Sequence, residues 1–401
     1  NDSVGRQNDR NILNITDRMS RYFTIIVILI GILTAGYWMV HDPTLVVNSF
    51  TAVLIIACPC ALALSAPFTL GNVLRIMGTN RLYLKNSQVI ETLSSVDTIV
   101  FDKTGTLTYG GQSEIHFTTL SETKDNLDQE ETAWIKSLVN QSQHPLSQAL
   151  NKNLVSDNLY SVSQFKEIPG EGISACIGDK RITIGSARFI GLADQEVGAS
   201  RVYISFDSLP RGYFSLQNIY REGLAELMDS LKKSYDLYLI TGDTEKEKNN
   251  LQPIIGNGLK FNQSPFDKLA FVQDLQKKGG SVLMIGDGLN DAGALETSDV
   301  GIAVSENKNT FSPASDGILD AEVFSGLNRI LEFSKSGMRI IHTSFIISFL
   351  YNIIGMAFAV SGNLSPLVAA VLMPVSSISV ILFATGMTNI VAKKKSLNWG
   401  L

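Results

Sequence analysis

Charge is scarce in this sequence. Asp, Glu, Lys and Arg make up 18% of its 401 residues, and between Arg339 and Lys393 there is none at all. The net charge of −5 and a pI near 5.5 leave no basic surface of the kind that binds nucleic acid. Cysteine is rarer still, with three residues, two of them flanking a single proline, which excludes a disulfide framework. There are four histidines, and His41, His116 and His342 show no metal-ligand spacing. The sequence has no internal repeat and no low-complexity linker. It opens on Asn1, and no signal-peptide pattern precedes the first apolar run.

What is present is unevenly spread. Mean hydropathy is +0.14, high for a soluble chain. The apolar residues gather in the first 80 and last 65 or so positions. Four stretches could span a bilayer, near Tyr22–Val40, Leu45–Met77, Ile340–Val360 and Leu364–Val391. Arg75 lies at the end of the second, Arg81 and Lys85 follow it, and Lys393–Lys395 follow the fourth, which puts that side in the cytoplasm. The middle of the chain has ordinary globular composition. Short apolar runs at Thr98–Phe101, Leu237–Ile240 and Ser281–Ile285 each end in a polar loop followed by helix-compatible sequence. That is the pattern of a doubly wound parallel sheet with its site at the strand C-terminal ends. Between about 111 and 215 the pattern changes to alternation, at Arg181–Ile184 and Arg201–Phe206, with Leu209–Gly212 read as a turn. This predicts a smaller α+β domain inserted in the first.

The loops carry the chemistry. Asp102-Lys103-Thr104-Gly105-Thr106-Leu107-Thr108 follows a strand, so Asp102 can attack a phosphoryl group and form an aspartyl phosphate. The charge that accumulates there calls for a cation. Gly286-Asp287-Gly288-Leu289-Asn290-Asp291 offers oxygen ligands suited to Mg²⁺. Thr241-Gly242-Asp243 could hold phosphate oxygens, and Lys268 could bring a positive charge to the same phosphate. One Asp-Gly loop alone is ordinarily a turn, but four such elements in this order are not. DKTGTLT, TGD and GDGLND resemble the phosphorylation-domain motifs of P-type ATPases, a branch of the haloacid dehalogenase group.

That resemblance implies that Asp102 is the phosphorylated nucleophile and that Asp287 joins it and Thr104 on Mg²⁺. Thr241, Gly242 and Lys268 would hold the phosphate, with Asn290 and Asp291 supporting the loop. Phosphatases of the group carry a second carboxylate two residues after the nucleophile as general acid. Thr104 stands there and cannot do that proton transfer, so the phosphoenzyme should persist. In the inserted domain, His144-Pro145 and Gly170-Glu171-Gly172 resemble the ATP-orienting motifs of the heavy-metal branch. Val139 and Ser186 depart from that pattern, which has Glu and Asn at those places.

The membrane part carries its own motif. Cys58-Pro59-Cys60 lies mid-way along the second stretch, where Pro59 removes an N–H and should kink the helix. Two thiolates favour soft ions over Mg²⁺ or Ca²⁺. The same stretch leads on through Arg75 and Asn80 to Asp102, a continuous route for coupling. Tyr351-Asn352 and Met373-Pro374-Val375-Ser376-Ser377 resemble the signatures of the monovalent copper or silver subgroup, which makes Met373, Tyr351, Asn352 and Ser377 candidate neighbours of Cu(I). Family pumps for divalent ions typically place Asp or Lys in these spans, and here both are absent. Cys176 reads as an inert buried thiol.

The expectation is a multidomain membrane protein of transmembrane α-helices plus a haloacid-dehalogenase-like α/β phosphorylation domain with an inserted α+β nucleotide-binding domain. Two helices with the Cys-Pro-Cys motif occupy 1–85, the phosphorylation domain 86–110 and 216–333, and the nucleotide-binding domain 111–215. Two further helices and a basic tail occupy 334–401. The function implied is ATP-driven export of Cu(I), with ATP and Mg²⁺ as cofactors. The alternatives are a zinc or cadmium pump, a membrane-anchored phosphatase of the haloacid dehalogenase type, and a non-catalytic metal sensor. A bacterial inner membrane, with the soluble domains cytoplasmic, and a copper chaperone or acceptor as partner complete the expectation. With no Thr-Gly-Glu actuator motif or Cys-x-x-Cys domain in it, the chain reads as a fragment that accepts phosphate without completing a cycle.

Overall fold

The computed structural model describes residues 12–58, 60–120, 125–156, 158–192, 200–288, 290–306 and 314–398. It divides into two compact units. The first holds residues 1–99, 271–284 and 292–401, and the second holds 100–270 and 285–291.

Apolar helices dominate the first unit. Helix Ile12–His41 is followed by helix Val46–Ile56, a break, and helix Cys60–Thr79. The break falls at the Cys-Pro-Cys motif, although Pro59 itself lies outside the described residues. Helices Leu327–Val360 and Pro366–Lys394 lie on the stretches that include the third and fourth apolar runs. These two are long and apolar enough to cross a membrane; Ile25–His41 and Pro43–Ile56 form shorter apolar helices. Small residues allow close approach between helices. A Cβ on Gly355 would stand 2.6 Å from Ile56 Cγ1, and one on Gly337 would stand 2.9 Å from Val73 Cγ2. A buried cluster of Ala52, Val53, Ile56, Ala359, Leu364 and Ala369 joins three helices.

The strands form two sheets. The first runs β1 (Leu82–Leu84), β13 (Gly317–Asp320), β12 (Val300–Ser305), β11 (Val282–Gly286), β2 (Thr98–Asp102), β9 (Asp236–Ile240) and β10 (Leu259–Lys260) in spatial order. β2 and β11 are buried at every position, as continuous apolar runs in a parallel sheet should be. β12 pairs parallel with β13 and β9 with β10, while β1 is the antiparallel edge.

The second sheet, wholly in the second unit, is antiparallel in the order β3 (Thr108–Thr119), β8 (Leu209–Tyr220), β7 (Ser200–Phe206), β6 (Lys180–Gly185), β5 (Gly172–Ile177), β4 (Ser163–Ile168). Helices Gln129–Val139 and Pro145–Asn153 contribute Ile135, Leu138, Val139 and Leu150 to its core. One local expectation is corrected. Leu209–Gly212 is not the turn but the start of β8; Asp207 and Ser208, at φ of 47° and 66°, make it. The reason is Arg211, which is buried and donates from Nε to Glu131 (3.0 Å) and from Nη1 to Thr119 (2.8 Å). A guanidinium so held cannot sit at an exposed turn.

Candidate functional site

Asp102 ends β2, Thr241 follows β9 and Asp287 follows β11, so all three stand at the C-terminal ends of strands. Each belongs to the second unit, as do Lys268 and Asp291. Asp102 is only 3% exposed. Lys268 Nζ donates to Asp102 Oδ1 at 2.5 Å and to Asp291 Oδ1 at 2.7 Å, a buried ammonium bridging two carboxylates. Asp291 Oδ2 has no hydrogen-bond partner among the described residues. Burial, and then the Asp291 carboxylate, push the Asp102 carboxyl up to about 7, with Lys268 opposing. Burial works against the Lys268 ammonium, but Asp102 and Asp291 outweigh it and hold its pKa above the ordinary value.

The loop after Asp102 reaches toward the loop after β11. Gly105 adopts φ +71°, and a Cβ there would stand 3.3 Å from Asp287 Cβ, so glycine allows both the left-handed turn and the close approach. Asn290 holds Asp287 in place, its backbone N–H donating to Oδ1 (3.1 Å) and its amide to Oδ2 (3.2 Å). The Lys268 ammonium therefore faces two carboxylates, with Asp287 on the adjoining loop. A divalent ion with oxygen ligands would offset the excess, so the residues present fit Mg²⁺. Among the described residues no group of three or more His, Cys, Asp or Glu is gathered closely enough to hold a metal ion by itself.

Thr241 is buried, and its hydroxyl accepts from Asp243 N–H at 3.1 Å, which closes the Thr-Gly-Asp loop. Lys103, 2% exposed, points its ammonium at other partners than Asp102. It pairs with Asp243 and donates to Glu247 Oε2 at 2.7 Å. Glu247 also accepts from Tyr220 Oη (2.9 Å) and Asn218 Nδ2 (3.1 Å) at the end of β8. Arg221 then donates to the carbonyls of Thr106 (2.7 Å) and Gly105 (3.0 Å). Sequence reasoning missed Glu247, Tyr220, Asn218 and Arg221. The one available signal was an acid four residues beyond Asp243, and its partner Lys103 lies 144 positions away.

In the inserted domain His144 is the N-cap of helix Pro145–Asn153, and its Nδ1 accepts from Leu146 N–H at 3.3 Å. Ser142 links it to β4, accepting from His144 N–H (3.1 Å) and donating to Glu167 (2.9 Å). β4 leads directly to Gly170. Gly172 pairs with Gly185 across β5 and β6, and a Cβ on it would stand 2.3 Å from Ile184 O. Ser186 N–H donates to Glu171 O at 2.8 Å, so the Gly-Glu-Gly turn rests on the segment that holds Ser186. Val139 is a core residue.

In the first unit the sulfurs of Cys58 and Cys60 lie together and are bonded as a disulfide. Tyr351 Oη donates to Leu372 O at 2.9 Å, beside Met373. Ser376 and Ser377 both donate to Met373 O, at 3.0 and 3.3 Å. Pro374 lies within this helix and has no N–H to give the carbonyl one turn earlier. Ile55, Met356 and Leu372 pack on the cluster that holds Ile56, which brings the Cys58 end, the Tyr351-Asn352 turn and Met373 into one region. Asn352 makes no side-chain hydrogen bond among the described residues. Elsewhere on the helices of this unit, the hydroxyls of Ser49, Ser65 and Ser348 are buried without a hydrogen-bond partner among the described residues.

The three strand-end loops closed by a buried lysine define a class, and comparison agrees. Residues 96–299 match the haloacid dehalogenase-like hydrolase model. The chain belongs to the haloacid dehalogenase-like hydrolase family. Over 92% of its length it is also 29% identical to a copper-exporting P-type ATPase of Staphylococcus haemolyticus, of which it covers 48%. It is 28% identical, again over 92%, to a probable copper-importing P-type ATPase A of Enterococcus hirae, of which it covers 53%. The chain thus spans about half the length of these curated relatives. A crystal structure of a zinc-transporting PIB-type ATPase in an E2.Pi state superposes with a TM-score of 0.79 at 22% identity. That match covers 93% of this chain and 63% of the other, so the fold is shared.

Proposed function

We propose that this chain is the catalytic and ion-binding part of a P-type ATPase that exports monovalent copper or silver. The observation that carries the reading is Lys268 bridging Asp102 and Asp291, with Asp287 turned toward the same loop. Asp102 attacks the γ-phosphorus of ATP; the new Oδ–P bond forms as the bond to the β-phosphate oxygen breaks, and ADP leaves. Lys268 offsets charge on the transferred group, and the Thr241 hydroxyl and the Gly242 N–H orient its oxygens. When bound, Mg²⁺ would rest on Asp102, Thr104 and Asp287 and draw off charge from the phosphate. No second carboxylate stands at Thr104, so hydrolysis waits for a base from elsewhere in the complete protein. Lys103 holds the Thr-Gly-Asp loop through Asp243. His144, Pro145, Gly170 and Gly172 form the ATP side of the inserted domain.

The transported ion is read from the first unit. Reduced to thiolates, Cys58 and Cys60 supply two soft ligands, and Met373 a neutral one. Tyr351, Asn352 and Ser377 are their polar neighbours in this reading, on a run with no charged side chain between Arg339 and Lys393. A thioether and no carboxylate suit Cu(I) rather than Zn²⁺. Export is the direction in the name of the Staphylococcus relative. A copper chaperone or acceptor on either side of a bacterial inner membrane fits this reading. The test is Cu(I) movement in sealed vesicles of the complete protein. ATP-driven accumulation in inverted vesicles supports export; accumulation only in right-side-out vesicles would mean import.

A further inference from the structure

At one end of the uncharged run, four cations from the two helices that carry it converge. Arg329, Arg339, Lys394 and Lys395 line one open pocket of about 550 Å³, with Glu332 and Ser336 in its wall. Glu332, its one carboxylate, is taken by Lys395. Among the described residues, the side chains of Arg329, Arg339 and Lys394 have no ion pair and no hydrogen bond. Three cations held together without an anion repel one another, a cost that a bound anion removes.

The position of the pocket says which anion. Arg339 is the last charge before the uncharged run and Lys394 lies just past its end, so the pocket marks one boundary of the apolar segment. Beyond it the helices present apolar side chains outward, among them Ile346 and Ile390, each 61% exposed. A general bias toward Lys and Arg on the cytoplasmic side accounts for cations near a helix end. It does not account for cations from two helices converging, unpaired, on one concave site. We propose that this pocket binds the phosphate headgroup of an anionic phospholipid. The guanidinium groups of Arg329 and Arg339 take phosphate oxygens in forked hydrogen bonds, Lys394 adds a point charge, and the acyl chains lie along the exposed apolar faces. A free phosphate shares the headgroup chemistry but has nothing to place on those faces.

The test uses the complete protein in phosphatidylcholine vesicles, with spin-labelled phosphatidylglycerol or phosphatidylcholine as probe. No ATP or metal is present, so the outcome is independent of the transport reading. The wild type should prefer phosphatidylglycerol. Each cation removed in the series Arg329→Gln, Arg339→Gln, Lys394→Gln should lower that preference about fivefold, the effect of one basic residue near an anionic surface. Lys278→Gln, an exposed lysine outside the pocket, should leave it unchanged. The double variant Arg329→Lys/Arg339→Lys keeps the charge and should retain most of the preference, which separates lipid loss from misfolding. A triple Gln variant that keeps the wild-type preference would overturn the proposal. So would equal association of both lipids with the wild type, or full displacement of phosphatidylglycerol by millimolar inorganic phosphate.

Discussion

The soluble and membrane parts of this chain treat polarity in opposite ways. Around Asp102, three carboxylates and one ammonium are crowded behind buried strands, and the excess negative charge is left for a ligand to offset. Between Arg339 and Lys393 there is no charge at all, and Tyr351, Ser376 and Ser377 spend their hydrogen bonds on helix carbonyls. The first arrangement suits a hard cation and phosphate oxygens; the second leaves sulfur as the strongest available ligand. In the function proposed, one chain thereby carries two sites for ions of opposite character.

The sharpest way to break the comparison is to change the two sites separately. Asp102→Asn should abolish acid-stable phosphate incorporation from ATP, down to background. Cys58→Ser with Cys60→Ser should abolish the copper-dependent label, measured with and without the ion, while ATP binding persists. Lys268→Met should slow phosphorylation by roughly 10²–10³-fold, the usual cost of one preorganised charge-stabilising group, read by rapid quench. The variant also leaves Asp102 and Asp291 without their bridge.

Stability at the soluble site should run against catalysis. The Asp102 pKa is raised in the fold to about 7, so the folded state keeps a proton that the unfolded chain releases above about 4. The contribution is therefore full below the unfolded pKa and is lost as pH rises through the folded one. In EDTA, Asp102→Asn should gain stability over wild type between about pH 4 and 7, by of order 1–3 kcal/mol, and level off above. Apparent melting temperatures across that range check it, and a constant difference would mean the carboxylate is already ionised in the fold.

Gly172→Ala asks whether the Gly-Glu-Gly turn serves packing or ATP. Its Cβ would meet Ile184 O at 2.3 Å, so a loss of about 1–3 kcal/mol in stability is expected. His144→Ala removes a cap at about 1 kcal/mol and should raise the KM for ATP by more than that loss explains. The smallest effect is expected from Tyr351→Phe. It frees one helix carbonyl, and copper activation should shift by no more than about tenfold.

Much of the soluble site was legible because each motif follows a run of apolar residues that can only be a buried strand. Thr98–Phe101 and Leu237–Ile240 lie on β2 and β9, Ser281–Ile285 lies on β11 from Val282 onward, and their loops follow at once. The helix break at Cys58 was legible for the same local reason, a missing proline N–H. Partners brought from far along the chain were not legible. Glu247 meets Lys103, Tyr220 and Asn218 only because β8 returns beside the loop after β9. Arg211 looked like a turn residue because nothing near it in sequence announces Glu131.

The most direct test of the account is phosphorylation of the complete protein in membranes, with labelled ATP and either Cu(I) or Zn²⁺. The account predicts acid-stable label that requires Cu(I), Asp102 and both Cys58 and Cys60. Label that appears with Zn²⁺ and not with Cu(I) would contradict the assignment of the ion, and label that survives Asp102→Asn would contradict the assignment of the nucleophile.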